Sequence, residues 1–235
     1  MSGSFPFLTV LVLVPAAGAL AVAVVPTRAV ATWFHEALGL AVTVVTLAVA
    51  AAITVRFRAG GGGYQMVSDH VWAKDLGIHW SLGIDGISLF LVLLTAVLFP
   101  LSMLGARAHR DPRSFVGWLL LLEAACMGSF VSLDLILFFL FFELTLVPSY
   151  FLIGGWGYAR RGYAAIKFFV YTFAGSAFLL VGIFVFSVIV VIFWFSKNRP
   201  SEARLGEKMM FGAIVMGIVV AVIFGALQMV GGVLF

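Results

Sequence analysis

Seven runs of span-length apolar residues recur along the chain, near 5–25, 30–55, 86–105, 115–132, 134–156, 165–195 and 209–235. A helix of about 20 such residues crosses roughly 30 Å of hydrocarbon, and a bilayer requires every backbone N–H and C=O to be satisfied within the element. The pattern predicts an all-α, polytopic transmembrane helix bundle of about seven spans. It lacks the alternating ten-residue segments of a membrane β-barrel. Most links are short, which favours antiparallel neighbours in one up-down bundle. The exception is 57–85, where a glycine tetrad and Asp69, His70, Lys74 and Asp75 predict an extramembrane loop. The sixth run is too long for one upright span and too short for two. It reads as one tilted helix or as a span continuing into an interfacial segment.

Composition excludes several function classes. Of 235 residues, 63% are hydrophobic and 10% charged, where soluble domains carry about a quarter charged. The net charge of +4 sits on arginines and lysines at run ends, so it reports topology, and no basic stripe suggests a nucleic acid. Cys126 is the only cysteine, which rules out an intrachain disulfide and a cysteine-based metal site. His35, His70, His79 and His109 lie at edges or in loops without ligand spacing, and no metal is expected. The glycine tetrad has no lysine–serine/threonine pair after it and no strand before it, so neither NADH nor ATP, nor any other cofactor, is expected. The first run lacks a basic leading segment and is read as a retained span.

With the N-terminus outside, the inner loops hold Arg28, Arg107, Arg110, Arg113, Arg160 and Arg161, against Arg56, Arg58 and Lys74 outside. That agrees with the positive-inside rule. The same topology places Lys197, Arg199, Arg204 and Lys208 outside, which conflicts with it.

Three ionisable residues inside the runs carry the candidate chemistry. Glu143 stands in LDLILFFLFFELTLVPSYFLIGGWG, flanked by phenylalanines and followed five residues later by Pro148. Translocon scales put an acid at a helix centre at about +2.5 to +3.5 kcal/mol, so it faces a partner or a wet cavity and acts as a relay or ion site by default. Its bland alternative is a neutral carboxyl hydrogen-bonded to a neighbouring helix. Burial and a nearby cation act on such a group in opposite directions, which makes a switchable proton carrier. Pro148 removes a backbone donor and frees a carbonyl one turn back. Lys167, in YAAIKFFVYTFAGS, shares a face with Tyr171 and Gly175, a stripe that could meet Glu143; alternatively it snorkels to the inner surface. Glu123, in WLLLLEAACMGSF, either hydrogen-bonds across the bundle to orient helices or extends a proton path toward one face. Asp85 and Asp134 fall at span boundaries and are expected to cap helix N-termini.

Taken together, LGIDGISLFLVLLTAVLFPLSML, then the Glu143 segment, then AAIKFFVYTFAGSAFLL, resemble the antiporter-like chain M of bacterial NADH:quinone oxidoreductase, respiratory complex I. The resemblance covers about residues 5–182 and has three motifs in order. Sodium/proton antiporter relatives share much of the pattern. The resemblance implies that Glu143 takes part in proton translocation, paired across the bundle with a lysine, and that Lys167 is the family's lysine in its KFFxYT motif. It further implies a multi-pass chain of the bacterial inner membrane, no redox site of its own, and neighbouring membrane-arm subunits as partners alongside the lipid bilayer. Family members are longer, with further helices that carry the later lysines and acid of the path. The division expected is therefore 1–182, the N-terminal part of an antiporter-like domain, and 183–235, a membrane tail without family motifs and with one further span, as in a truncated or fused gene.

The function expected is a proton-translocating membrane-arm subunit, with Glu143 as carrier, Lys167 as cationic modulator and Glu123 as lateral relay. The alternatives are a non-catalytic scaffold or assembly element, and a subunit of a multisubunit cation/proton antiporter.

Overall fold

The structure, a computed structural model, describes residues 6–25, 32–58, 60, 63–73, 78–106 and 111–198. Six helices and one hairpin follow in order: α1 (Phe7–Val24), α2 (Thr32–Arg56), β1 (Gln65–Ala73), β2 (Ile78–Ile84), α3 (Gly86–Gly105), α4 (Pro112–Val131), α5 (Leu135–Trp156) and α6 (Arg161–Asn198). All six helices are long and apolar enough to cross a membrane. The expected seventh run and the basic stretch 199–208 lie outside the described residues, as do Arg28, Lys74, Asp75, Arg107, His109 and Arg110.

The chain divides into two compact units, Met1–Phe168 and Phe169–Phe235. In the first, α4 is the central element and packs against α1, α2, α3 and α5. Two apolar clusters show how the helices alternate. One gathers Leu8 and Leu11, Ala50 and Ile53, Leu89 and Val92, and Met127 and Val131. The other gathers Ala19 and Val22, Leu38 and Val42, Met103, and Val116 and Leu120. Early α1 and α3 thus meet late α2 and α4, and the reverse holds at the opposite end, as an up-down bundle requires.

The expected extramembrane loop contains an antiparallel hairpin, β1 against β2. Its second strand reads IHWSLGI, an apolar residue at every other position, which is the period of a strand with one buried face. Leu82 and Ile84 are fully buried in the first cluster. The Trp80 indole donates to the Thr9 hydroxyl at 3.4 Å and its ring packs edge-on against Phe141. The hairpin is anchored to the start of α5, because Leu133 N–H donates to the Ser81 carbonyl at 2.9 Å.

Both boundary aspartates cap helices. Asp85 accepts from Ser88 N–H at 2.7 Å, while the Ser88 hydroxyl accepts from Asp85 N–H at 2.9 Å, a reciprocal capping box. These contacts hold the Asp85 carboxyl below the usual carboxylate range. Asp134 accepts from Ile136 and Leu137 N–H and, through its other oxygen, from His79 N–H of β2.

The sixth run is one unbroken helix of 38 residues, about 57 Å at 1.5 Å per residue. Its first two turns belong to the first unit. In the second unit Phe169 stacks on Phe173, and the Ser176 hydroxyl donates to the Phe173 carbonyl at 2.9 Å.

Candidate functional site

The register of α4 against α5 fixes the depth of the two intramembrane acids. Phe115 packs on Trp156, Trp118 stacks on Phe151 at 4.4 Å, and a Cβ added to Gly128 would run into the Phe141 ring. These contacts run in antiparallel order and set Glu123 opposite Leu146 and Glu143 opposite Cys126. The two acids therefore differ in depth by three residues, about 4.5 Å.

They do not face each other. Glu123 lies five residues from Trp118, about 140° around the helix from the face that meets α5. It lies seven residues from Val116, nearly two full turns, and so shares the face that Val116 presents to Gly39 of α2 and Met103 of α3. The Glu123 side chain is fully buried, with both carboxyl oxygens lacking a hydrogen-bond partner.

Glu143 is half-buried on α5, and its Oε1 is buried without a partner. The helix around it is polar on its backbone side. Pro148 is buried and withholds the N–H that would serve the Leu144 carbonyl. The Thr145 hydroxyl donates to the Phe142 carbonyl and the Ser149 hydroxyl to the Thr145 carbonyl, both at 2.7 Å.

Lys167 is exposed, with its ammonium 5.8 Å from the Tyr163 ring centroid. A Cβ on Gly154 would sit 3.5 Å from Ala165, which marks where α5 and α6 touch. From that point Lys167 stands two residues, about 3 Å, along α6, and Glu143 eleven residues, about 16 Å, along α5. The structure thus keeps the ammonium and the carboxyl apart, while it sets the two acids at nearly one depth. Tyr171 and Gly175, the other members of the expected stripe, belong to the second unit.

One titratable group departs from its expected setting. His35, read from sequence as an edge histidine, is 1% exposed, and its Nε2 has no partner. Its place four residues before Gly39, on the stripe that continues through Thr43, Thr46, Ala50 and Ile53, was the available signal. Among the described residues no group of three histidine, cysteine or acidic side chains could hold a metal ion. A groove of about 590 Å³ between α1 and α4, lined by Ala16, Ala19, Gly117 and Trp118, includes none of the three candidate residues. Arg113 lines it too, and its guanidinium donates to the Val22 and Ala23 carbonyls.

Known proteins resemble the chain in sequence and in fold. Residues 132–230 match the family model described as NADH:quinone oxidoreductase/Mrp antiporter, TM. The match runs on past residue 182, where the expected antiporter-like part ends. NAD(P)H-quinone oxidoreductase chain 4 of a Nostoc species is 39% identical over 178 residues, covering 75% of this chain and 33% of that one. NADH-quinone oxidoreductase subunit M of Rhodobacter capsulatus is 44% identical over 143 residues, covering 60% of this chain and 28% of the relative. The chain spans about a third of the length of the curated relatives it matches. A chain of respiratory complex I from Thermus thermophilus superposes with a TM-score of 0.64 at 24% identity, covering 78% of this chain and 36% of that one. A chain of an archaeal membrane-bound sulfane sulfur reductase does so with 0.63 at 22%, covering 76% and 36%. These two likenesses show the shared fold.

Proposed function

We propose that this chain, 39% identical over three quarters of its length to an NAD(P)H-quinone oxidoreductase chain 4 and 44% identical over 60% of it to a subunit M, is a membrane-arm subunit of a proton-pumping NADH:quinone oxidoreductase. In this reading the chain is part of a translocase, has no redox site of its own, and sits multi-pass in the bacterial inner membrane among other membrane-arm subunits. Glu143 carries the proton, Glu123 relays it laterally, and Lys167 modulates the carrier from the inner side. The boundary between the antiporter-like part and the tail lies near residue 183. Support for that boundary is the charge conflict at 197–208, whereas the family match runs on through it to residue 230.

The observation that carries the proposal is the Glu143 carboxyl, held inside an apolar helix with one oxygen buried and unpartnered, beside a carbonyl that Pro148 leaves without its donor. A carboxyl in such a site either takes a proton or finds a transient partner. Because Lys167 stands more than a dozen Å away in depth, its influence on Glu143 requires helix movement or acts through water. A second reading, a subunit of a multisubunit cation/proton antiporter, is favoured by the family description, which spans both assemblies.

Glu143→Gln keeps the shape and removes the titratable proton. In vesicles holding the parent complex, proton pumping followed by dye quenching falls several-fold while the complex still assembles. Pumping at the unmutated level with matched protein would refute the carrier role.

A further inference from the structure

Glu123 sits between the two apolar clusters, and the helices around it bring oxygen acceptors to the same depth. Gly39 of α2, Met103 of α3 and Val116 of α4 converge, since a Cβ on Gly39 would lie 2.5 Å from Val116 Cγ1 and 2.6 Å from Met103 Cε. Seven residues, about 10 Å, along α2 and α4 from that junction reach Thr46 and Glu123, and the same distance back along α3 reaches Ala96 beside Thr95. Gly117 of α4 faces Val22 of α1, and seven residues along each reach Ala124 and Pro15.

This layer is rich in acceptors and poor in donors. Thr46 is fully buried and Thr95 nearly so. The Thr46 hydroxyl donates to its own helix at the Val42 carbonyl, 3.0 Å, and the Thr95 hydroxyl to the Leu91 carbonyl, 2.8 Å. Only lone pairs of both remain available. Pro100 leaves the Ala96 carbonyl without its helical donor, and Pro15 does the same for the Leu11 carbonyl. The two Glu123 oxygens have no partner within reach. Cys126, three residues on, offers only a weak thiol donor. Buried oxygens left this way are costly in hydrocarbon, and the missing element is a source of hydrogens.

We propose that this layer is a built hydration site, in which the Glu123 acid proton and buried water donate to Thr46 Oγ1, Thr95 Oγ1 and the Ala96 carbonyl. Buried water supplies what the layer lacks, since one molecule makes about three hydrogen bonds to otherwise unsatisfied groups. Thr46 and Thr95 are positioning residues: they hold the water that holds the Glu123 proton. Their part in proton movement rests on the translocation reading above, but the hydration site does not.

Infrared spectra of the full chain in lipid bilayers test it. Glu123→Gln identifies the Glu123 acid C=O band. In Thr46→Val with Thr95→Val, which keep side-chain shape, that band moves to higher wavenumber and its hydrogen–deuterium exchange slows at least several-fold. Thr46→Ser with Thr95→Ser restores both. A band unmoved in the valine variant overturns the proposal, as does the absence of any Glu123-dependent acid band at neutral pH. Loss of the band on adding sodium at constant pH would also overturn it, because the layer would then be a cation site. Normal pumping by Glu123→Gln, together with the band shift in the valine variant, would sink the relay role and leave the hydration site standing.

Discussion

Gly128→Ala tests the register that sets the depth of both acids. A Cβ at Gly128 would stand 2.5 Å from Phe141 Cγ and Cε1 and closer still to Cδ1. The ring is not free to swing aside, because it also packs against Trp80 of the hairpin with centroids 5.9 Å apart. Relief requires α4 and α5 to separate or the ring to leave Trp80. Inserting a methyl group into a packed core costs about 1–3 kcal/mol, and three clashing ring atoms put this site at the upper end. Replacing glycine by alanine inside a helix returns about 1 kcal/mol of propensity. The net destabilisation is therefore about 2 kcal/mol, roughly 30-fold in the folded population. Unfolding of the purified chain by sodium dodecyl sulfate in mixed micelles, followed by tryptophan fluorescence, reads it. Gly155→Ala on α5, where an added Cβ meets nothing within 4 Å, is neutral or slightly stabilising. Adding Phe141→Leu to Gly128→Ala recovers most of the loss. If Gly128→Ala unfolds with the parent chain, or the leucine brings no relief, the α4–α5 packing described here is wrong.

Two further outcomes follow. Lys167→Ala in the parent complex lowers pumping less than Glu143→Gln does; unchanged pumping, with ready labelling of Lys167 from the inner side, would establish a snorkelling lysine. The Asp85 cap is linked to pH: hydrogen bonds from Ser88 lower its folded pKa from the ordinary aspartate value of 3.8, so its stabilisation is present above that value and lost as pH falls below it. Asp85→Ala therefore costs about 1 kcal/mol at neutral pH. The gap to the parent chain closes as the pH is brought well under 3.8, and a gap of the same size in acid would show that ionised Asp85 is not what holds the cap.

The helices were legible because lipid forces each span to satisfy its own backbone, so apolar length alone locates it. Runs near 86–105 and 134–156 match α3 and α5 to within a residue. The hairpin was not read, although Ile78, Trp80, Leu82 and Ile84 alternate in plain view. The glycines and charges around that segment mark a loop more loudly than seven residues mark a strand. Glu123 and Glu143 stood out in sequence because charge is rare in hydrocarbon. The threonines did not, because a hydroxyl can satisfy itself on its own helix and so escapes a search for costly residues. Only the packing of α2 and α3 against α4 places Thr46 and Thr95 at the level of Glu123. Lys167 shows the converse: a face shared with later residues says nothing of depth, and depth is what separates it from Glu143.

The two acids stand at nearly one depth but on different sides of the packed α4–α5 interface. Between α4 and α5 lie the stacked rings of Trp118 and Phe151 and the close fit of Gly128 to Phe141, neither of which offers a hydrogen-bonding group to the other. Protons move along donors and acceptors, so these two contacts offer no path across the seam at their own levels. Glu123 stands about 140° around α4 from it, at the level of Thr46 and Thr95, while Glu143 has beside it the Leu144 carbonyl that Pro148 frees. Each acid thus has its own oxygen-lined side of α4 or α5. Under the proposed relay, exchange between them therefore travels around α4 or waits for the seam to open. A Cβ at Gly128 would stand within 2.5 Å of Phe141, so this glycine sets how closely α4 and α5 approach between the two acids.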